Sequence, residues 1–457
     1  TGREMSKNLE TDKQTMEDLN ILGKYKSNSI YSLFNRVVTR GGERLLEQMF
    51  LHPLSNADEI NKRSEVFKRF SKHLSVFPEE CETFEKVEQY LFGSDSGRSW
   101  MNILLRLLQL KGMKLLSNDP RLDMWQEQIK VTLAFLKKAS DYLDTLPEVV
   151  KGTVLEEKVE QARTLLHNNA MCSLLSANIA EEEVGMRVLF MSDKTMSCDL
   201  SAPLRKLVEL FYELDVAVAV GRVTGERKFC FATACTDDEG SILLKGFSHP
   251  CVLGAVSNDL EVTKEKNIFF LTGANMAGKS TLMKSFGIAV YMAHMGFPIA
   301  AKEMKFSVQD GLYTSINVPD NIYKGYSHFY AEVLRVKKVA KEVSQNKRLV
   351  VIFDELFKGT NVKDAYDATL AVTAALANRR SCSFMISTHI IEVGQELGKK
   401  CNNITFAYLP TVMQGCVPTY TYRLTEGITS DKHGMTIIEN EHIVDIIRRR
   451  KQQQKNK

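Results

Sequence analysis

The spacing of apolar and polar positions changes once along the chain, near Gly240. Before that point apolar residues recur every three or four positions, which predicts helices over 48–70, 100–116, 121–143, 155–175 and 202–221. In the second of these, Leu104, Leu107, Leu108, Leu110 and Leu115 are expected to form one apolar stripe. Ser55-Asn56 and Asn118-Asp119-Pro120 punctuate the helices as loops or caps. No segment repeats at a fixed period. A helical region of this size builds a core or a long arm, and the spacing fits both.

After Gly240 short apolar runs alternate with helical stretches. The runs at 267–272 (NIFFLT), 349–353 (LVVIF) and 382–387 (CSFMIS) predict strands, with a helix over 279–295 after the first. Continuous apolar runs of this length are buried on both faces, the mark of a mostly parallel sheet covered by helices. Further strands are expected at 404–409 and 420–424. The last ten residues are basic and Gln-rich, which fits a frayed, solvated tail better than a DNA-binding arm.

Composition narrows the class. Across 457 residues, 44% are hydrophobic and 25% charged, the balance of a soluble globular protein with two or three domains. No apolar run is long enough to span a bilayer, and the polar N-terminus is no secretory signal, so no membrane role is expected. The chain opens on Thr1 rather than Met, which suggests trimming or an expression remnant. Nine scattered cysteines without a C-x-x-C pair read as reduced thiols of a cytoplasmic protein, not a zinc or disulfide framework. The net charge of +4 permits nucleic-acid binding without arguing for it.

The chemistry concentrates at four places. Gly273-Ala274-Asn275-Met276-Ala277-Gly278-Lys279-Ser280, followed by Thr281, fits G-x-x-x-x-G-K-[ST] between a strand and a helix. Glycines let the backbone curl its N–H groups around phosphate, and the helix N-terminus favours the anion. Lys279 would reach the terminal phosphates and Ser280 would ligate magnesium. Next, the LVVIF strand delivers Asp354 and Glu355 at its end. Asp354 would hold magnesium and Glu355 would orient the attacking water, against the plainer reading of a salt-bridged acidic pair. Third, His389 in Ser387-Thr388-His389 ends a core strand, where a γ-phosphate sensor is favoured over a structural histidine. Last, Ser327 in Gly325-Tyr326-Ser327-His328-Phe329 precedes a helical run to Val343. It reads equally as an anion site or a plain N-cap.

Together these residues resemble the MutS family of DNA-repair ATPases. GANMAGKST is similar to the family's G-P-N-M-G-G-K-S-T, with Asn275 and Met276 as matches beyond the generic pattern. DELFKGT (354–360) resembles D-E-L-G-R-G-T, STH resembles A-T-H, and GYSHF resembles the signature G-x-S-T-F. His249-Pro250 matches an H-P element, and 427–434 (GITSDKHG) a G-x-S-x-x-S-x-G stretch. In the first half Thr39, Gly42, Arg44 to Leu46 and Ile60 to Arg63 resemble the start of the family's helical core.

The resemblance implies a multidomain α and α/β protein. Residues 1–18 would be a disordered or tag-derived tail and 19–239 a helical core and lever domain with a reduced or absent clamp. An ABC-like P-loop ATPase domain with a short C-terminal helix and a basic tail would fill 240–457. It further implies ATP and Mg as cofactors, a homodimer in which Ser327 completes the partner's site, and binding to double-stranded or branched DNA. Downstream repair proteins are possible partners. The family's mismatch reader inserts a Phe-x-Glu wedge, and too few residues precede the core here for that domain. Phe211-Tyr212-Glu213 fits the pattern but is expected to be core helix.

The chain departs from the family at several positions. Ala274 and Ala277 keep the loop small, Phe357 and Lys358 replace Gly and Arg, and His328 replaces Thr. Ala255 stands where the family has an aromatic that stacks on adenine, which removes a stacking partner and puts selectivity for ATP over GTP in question. Two alternatives remain: an ATP-binding dimeric clamp for branched DNA or protein with little hydrolysis, and an ABC-type ATPase not acting on DNA.

Overall fold

The computed structural model describes residues 8–23, 28–73, 76–93, 99–117, 119–176, 185–236, 240–273, 277–316, 328–414, 417–429, 442 and 446. It divides into two compact units, one of residues 33–51 and 62–227, the other of 1–32, 52–61 and 228–457.

The first unit is helical. The single helix expected over 48–70 is two, Arg40–Leu51 and Ala57–Lys72, parted at Pro53, with Asn56 Oδ1 capping Glu59 N at 3.1 Å. The stretch 155–175 is likewise split into Glu156–Leu166 and Asn169–Leu175, where Asn168 Oδ1 accepts from Met171 N at 2.8 Å. In both places a side chain that satisfies the first orphan N–H groups starts a new helix where periodicity alone continues. The longest helix, Ser201–Arg227, runs through the core. Its Phe211 is fully buried, with ring centroids 5.2 Å from Phe135 and 6.3 Å from Phe84, and Glu213 pairs with Lys158 at 2.7 Å. Phe211-Tyr212-Glu213 is therefore core helix. Four residues on, buried Asp215 accepts from Thr39 N and Thr39 Oγ1, both at 2.7 Å, and so ties down the start of Arg40–Leu51.

One expected stripe is not a stripe. In the helix Trp100–Ser117, Leu107 and Leu110 are buried with Ile103, whereas Leu104, Leu108 and Leu115 are exposed. At about 100° per residue the two sets fall on different faces, which a count of leucines does not reveal.

The second unit is built on a six-stranded mixed sheet in the order Thr425–Glu426, Ile404–Tyr408, Ile268–Thr272, Ser383–Ser387, Leu349–Phe353, Gly311–Ser315. The pairings are parallel except for the first, which is antiparallel. The three apolar runs form the wholly buried strands at its centre. A four-stranded sheet packs in the same unit, ordered Thr233–Cys235, Glu303–Ser307, Ile242–Phe247, Asn258–Val262.

Two expectations in this unit change. Residues 421–424 are not a strand; a hairpin of Thr411–Gln414 with Val417–Tyr420 precedes them. Tyr422 has a left-handed backbone (φ 54°), and the Asn258 side chain engages Tyr422 O at 3.0 Å and Leu424 N at 2.7 Å, groups a strand would give to a ladder. Residues 8–18, expected to be part of a disordered tail, are instead packed on the sheet. Glu10 N donates to Asp310 O (2.8 Å) and Leu312 N to Glu10 O (2.9 Å), which covers the open edge at Gly311–Ser315. Asp12 caps the helix Lys13–Asp18 and pairs with Arg335 and Lys338. Burial would raise the Asp12 pKa, but those two cations outweigh it and hold it far below the usual carboxylate range. The partners of Glu10 and Asp12 lie some three hundred residues away, so no local pattern announces these contacts.

Candidate nucleotide site

Three strand ends and one helix start meet at the site. The strand Ile268–Thr272 runs into Gly273 (φ +127°), and the helix Lys279–His294 opens after Gly278 (φ +95°). A Cβ on Gly278 would lie 2.8 Å from the Tyr422 ring, so both backbone and space require glycine there. Ala274, Asn275 and Met276 lie outside the described residues; Ala277 is buried. Lys279 is 1% exposed, and its Nζ donates to Gly273 O at 2.6 Å. Burial pushes its pKa down, while Glu355 and Asp354 pull it back up. A buried ammonium returned onto the loop's own carbonyl is poised to exchange that contact for a stronger anionic acceptor.

Asp354 follows the strand Leu349–Phe353 and accepts hydrogen bonds from two hydroxyls: Ser280 Oγ on Oδ2, and Ser387 Oγ, 2.6 Å from Oδ1. Ser387 ends the neighbouring strand and also accepts from Glu355 N at 2.8 Å. Glu355 itself has a left-handed backbone (φ 51°), so the chain turns off the strand direction between the two carboxylates. This turn, rather than the alternation of a continuing strand, separates their directions. The Glu355 carboxylate lies 3.7 Å from Lys358 Nζ. Phe357 is left-handed as well (φ 61°), a conformation that costs a non-glycine residue about 1–2 kcal/mol. Its ring is buried, 6.0 Å from Phe329 at the start of the helix His328–Ser344, and that burial offsets the cost.

Thr388 is buried, its N–H on Leu271 O at 3.1 Å, and His389 beyond it is exposed. Thr281 is exposed on the first turn of the Lys279–His294 helix. Ser327 and residues 430–434 of the GITSDKHG stretch lie outside the described residues. A hydroxyl beside a carboxylate is a hard-oxygen donor pair, the set that suits magnesium when phosphate and water supply the other ligands. Among the described residues no cluster of three or more His, Cys, Asp or Glu offers a closed metal cage.

Sequence reasoning missed Tyr422. A cavity of about 380 Å³ opens beside Gly278 and Thr281, with Ala255, Val256, His249, Leu409 and Tyr422 in its walls. Ala255 does lack an aromatic ring, but Tyr422, 46% exposed, supplies one from a different element. Burial and nearby Lys284 lower the pKa of His249, which favours the neutral ring. Nothing in the TYTYR run marks which tyrosine turns toward a loop more than a hundred residues earlier.

The chain thus consists of a helical unit and an α/β unit in which a strand, a G-x-x-x-x-G-K-S segment and a helix follow one another. Residues 14–221 match the family model of MutS domain III and residues 269–456 that of MutS domain V. The chain belongs to the MutS family. It is similar to the DNA mismatch repair protein MutS of Pseudothermotoga lettingae, at 28% identity over 51% of this chain and 28% of that protein. Similarity to the DNA mismatch repair protein MSH7 of Arabidopsis thaliana extends further, at 25% identity over 94% of this chain and 43% of the relative. A Bacillus cereus MutS matches at 24% over 79% of this chain and 40% of its own length. The chain thus spans less than half the length of these relatives. Among the described residues no helix is long and apolar enough to cross a membrane.

Proposed function

We propose that the second unit binds and hydrolyses Mg–ATP, and that two copies pair so that Ser327 of each completes the other's site. The observation that carries this is the junction of Ser280, Asp354 and Ser387 beside buried Lys279. The loop of residues 273–280, with Thr281, would wrap the phosphates, and Lys279 would offset charge on the terminal one. Ser280 and Asp354 would hold magnesium, which would offset phosphate charge when bound. Glu355 would orient the attacking water, and His389, exposed at the strand end, would contact the terminal phosphate. The base would lie in the cavity against Tyr422, which restores the stacking that Ala255 cannot give.

The nucleotide cycle would change the grip of the helical unit on double-stranded or branched DNA. The relatives' names, DNA mismatch repair proteins, support DNA as the partner. A clamp that binds ATP with little turnover is the second reading, and the Glu355–Lys358 pair favours it by engaging the carboxylate a water would need. Phosphate release by the purified chain, compared with Glu355→Gln, separates the two. Hydrolysis predicts a loss of about 10²- to 10⁴-fold with ATP binding retained. Release that is negligible in the wild type and unchanged in the variant would establish the clamp.

A further inference from the structure

Asn258 opens the edge strand Asn258–Val262, with its backbone paired to Phe247 in the ladder. Its side chain is buried and uses both ends of the amide on one short stretch of chain. Nδ2 donates to Tyr422 O at 3.0 Å, and Oδ1 accepts from Leu424 N at 2.7 Å. Nδ2 also donates to Val256 O at 3.4 Å, one residue beyond Ala255. One side chain thus joins the cavity wall that lacks a ring to the segment that supplies one. We infer that Asn258 is a positioning residue for the nucleotide base: it clips Tyr422 in place so that the ring stands across the cavity from Ala255. The inference rests on the reading that the base lies against Tyr422.

Three observations give the clip this role. The first is backbone conformation. Tyr422 is left-handed (φ 54°), which a bulky residue adopts only where its surroundings hold it. The Asn258 amide grips the carbonyl of that residue and the N–H two positions on, groups that a neighbouring strand would otherwise take. The second is the choice of ring. Tyr420 and Tyr422 have ring centroids 6.2 Å apart, but Tyr420 belongs to the hairpin strand Val417–Tyr420, and it is Tyr422 that lines the cavity. The third is where the ring stands once held. A Cβ on Gly278 would come within 2.8 Å of Tyr422 Cδ1, so the clip sets the ring against the start of the Lys279–His294 helix. A ring shifted from there leaves the base without a stacking face, and Ala255 offers none.

Calorimetric titration of the whole chain with Mg–ATP and with magnesium inorganic triphosphate tests this, because triphosphate has no base to stack. Asn258→Ala is expected to weaken ATP binding by no more than Tyr422→Ala does, within about five- to a hundredfold, while triphosphate affinity stays within about twofold. In the double variant Asn258→Ala with Tyr422→Ala, ATP binding should equal that of Tyr422→Ala alone, since a residue acting through the ring has nothing left to place. Asn258→Asp keeps the acceptor for Leu424 N but sets a second acceptor against Tyr422 O. It should fold and show the same ATP-selective loss. Triphosphate affinity that falls along with ATP affinity in both Asn258 variants would make Asn258 a brace of the fold and overturn the inference. So would ATP affinity unchanged in both, or a loss that persists in full on the Tyr422→Ala background. All three results leave the base reading standing as long as Tyr422→Ala itself weakens ATP binding. Unchanged ATP affinity in Tyr422→Ala removes that reading, and the inference with it.

Discussion

The Ser387 hydroxyl donates to Asp354 Oδ1 over 2.6 Å and thereby joins the ends of two adjacent strands. The same oxygen accepts from Glu355 N, so one buried side chain fixes both the carboxylate assigned to magnesium and the turn that aims its neighbour. Ser387→Ala leaves the Glu355 N–H without that partner, a loss of about 1–3 kcal/mol. Steady-state phosphate release should fall about ten- to hundredfold, more than nucleotide affinity does. Equal losses in kcat and affinity would show that Ser387 only supports binding.

Tyr422 stands across a cavity from Ala255, with its ring against Gly278. Stacking of a base on an aromatic ring is worth about 1–3 kcal/mol, so Tyr422→Ala should weaken ATP binding about five- to a hundredfold. Tyr422→Phe should bind as the wild type does. The check is competition for a fluorescent nucleotide by ATP and by GTP. Unchanged ATP affinity in Tyr422→Ala would place the base elsewhere.

His294, on the last turn of the Lys279–His294 helix, is fully buried between Val290 O (2.8 Å) and Gln309 N (3.0 Å). Burial lowers its pKa from 6.5 to about 4. The unfolded chain therefore takes up the proton first on acidification. The stabilisation is complete above about pH 6.5 and is lost as the pH falls toward 4, by a limit on the order of 3 kcal/mol. Urea unfolding at pH 7 and pH 4.5 should show the difference, with a shallower pH dependence in His294→Gln. The same pH dependence in both proteins would assign the acid sensitivity to other groups.

How far the chain could be read from its letters depends on the range of each interaction. The central strands were legible because burial on both faces leaves uninterrupted apolar runs, as at 349–353. The turns at Gly273 and Gly278 were legible because the motif sets glycines at fixed local spacing. The helix break at Asn168 was not, since a cap two or three residues long does not disturb a 3.6-residue period, whereas Ser55-Asn56 marks the break after Pro53 in the sequence. Asp12 with Arg335, and Tyr422 with Gly278, were illegible for a different reason. Each pair is brought together only by the finished fold, and neither Asp12, Arg335 nor Tyr422 sits in a distinctive local pattern. The helix Trp100–Ser117 departs from the single stripe expected because leucine spacing alone does not give angular position.

The proposed activity requires magnesium and nucleotide to meet at Lys279, Ser280 and Asp354. Calorimetric titration of ATP into the whole chain, with and without magnesium, tests this most directly when wild type and Asp354→Asn are compared. Tight binding that needs magnesium in the wild type, with the magnesium dependence lost in Asp354→Asn, is the expected result. ATP binding of equal strength in all four titrations, or none in any, would contradict it.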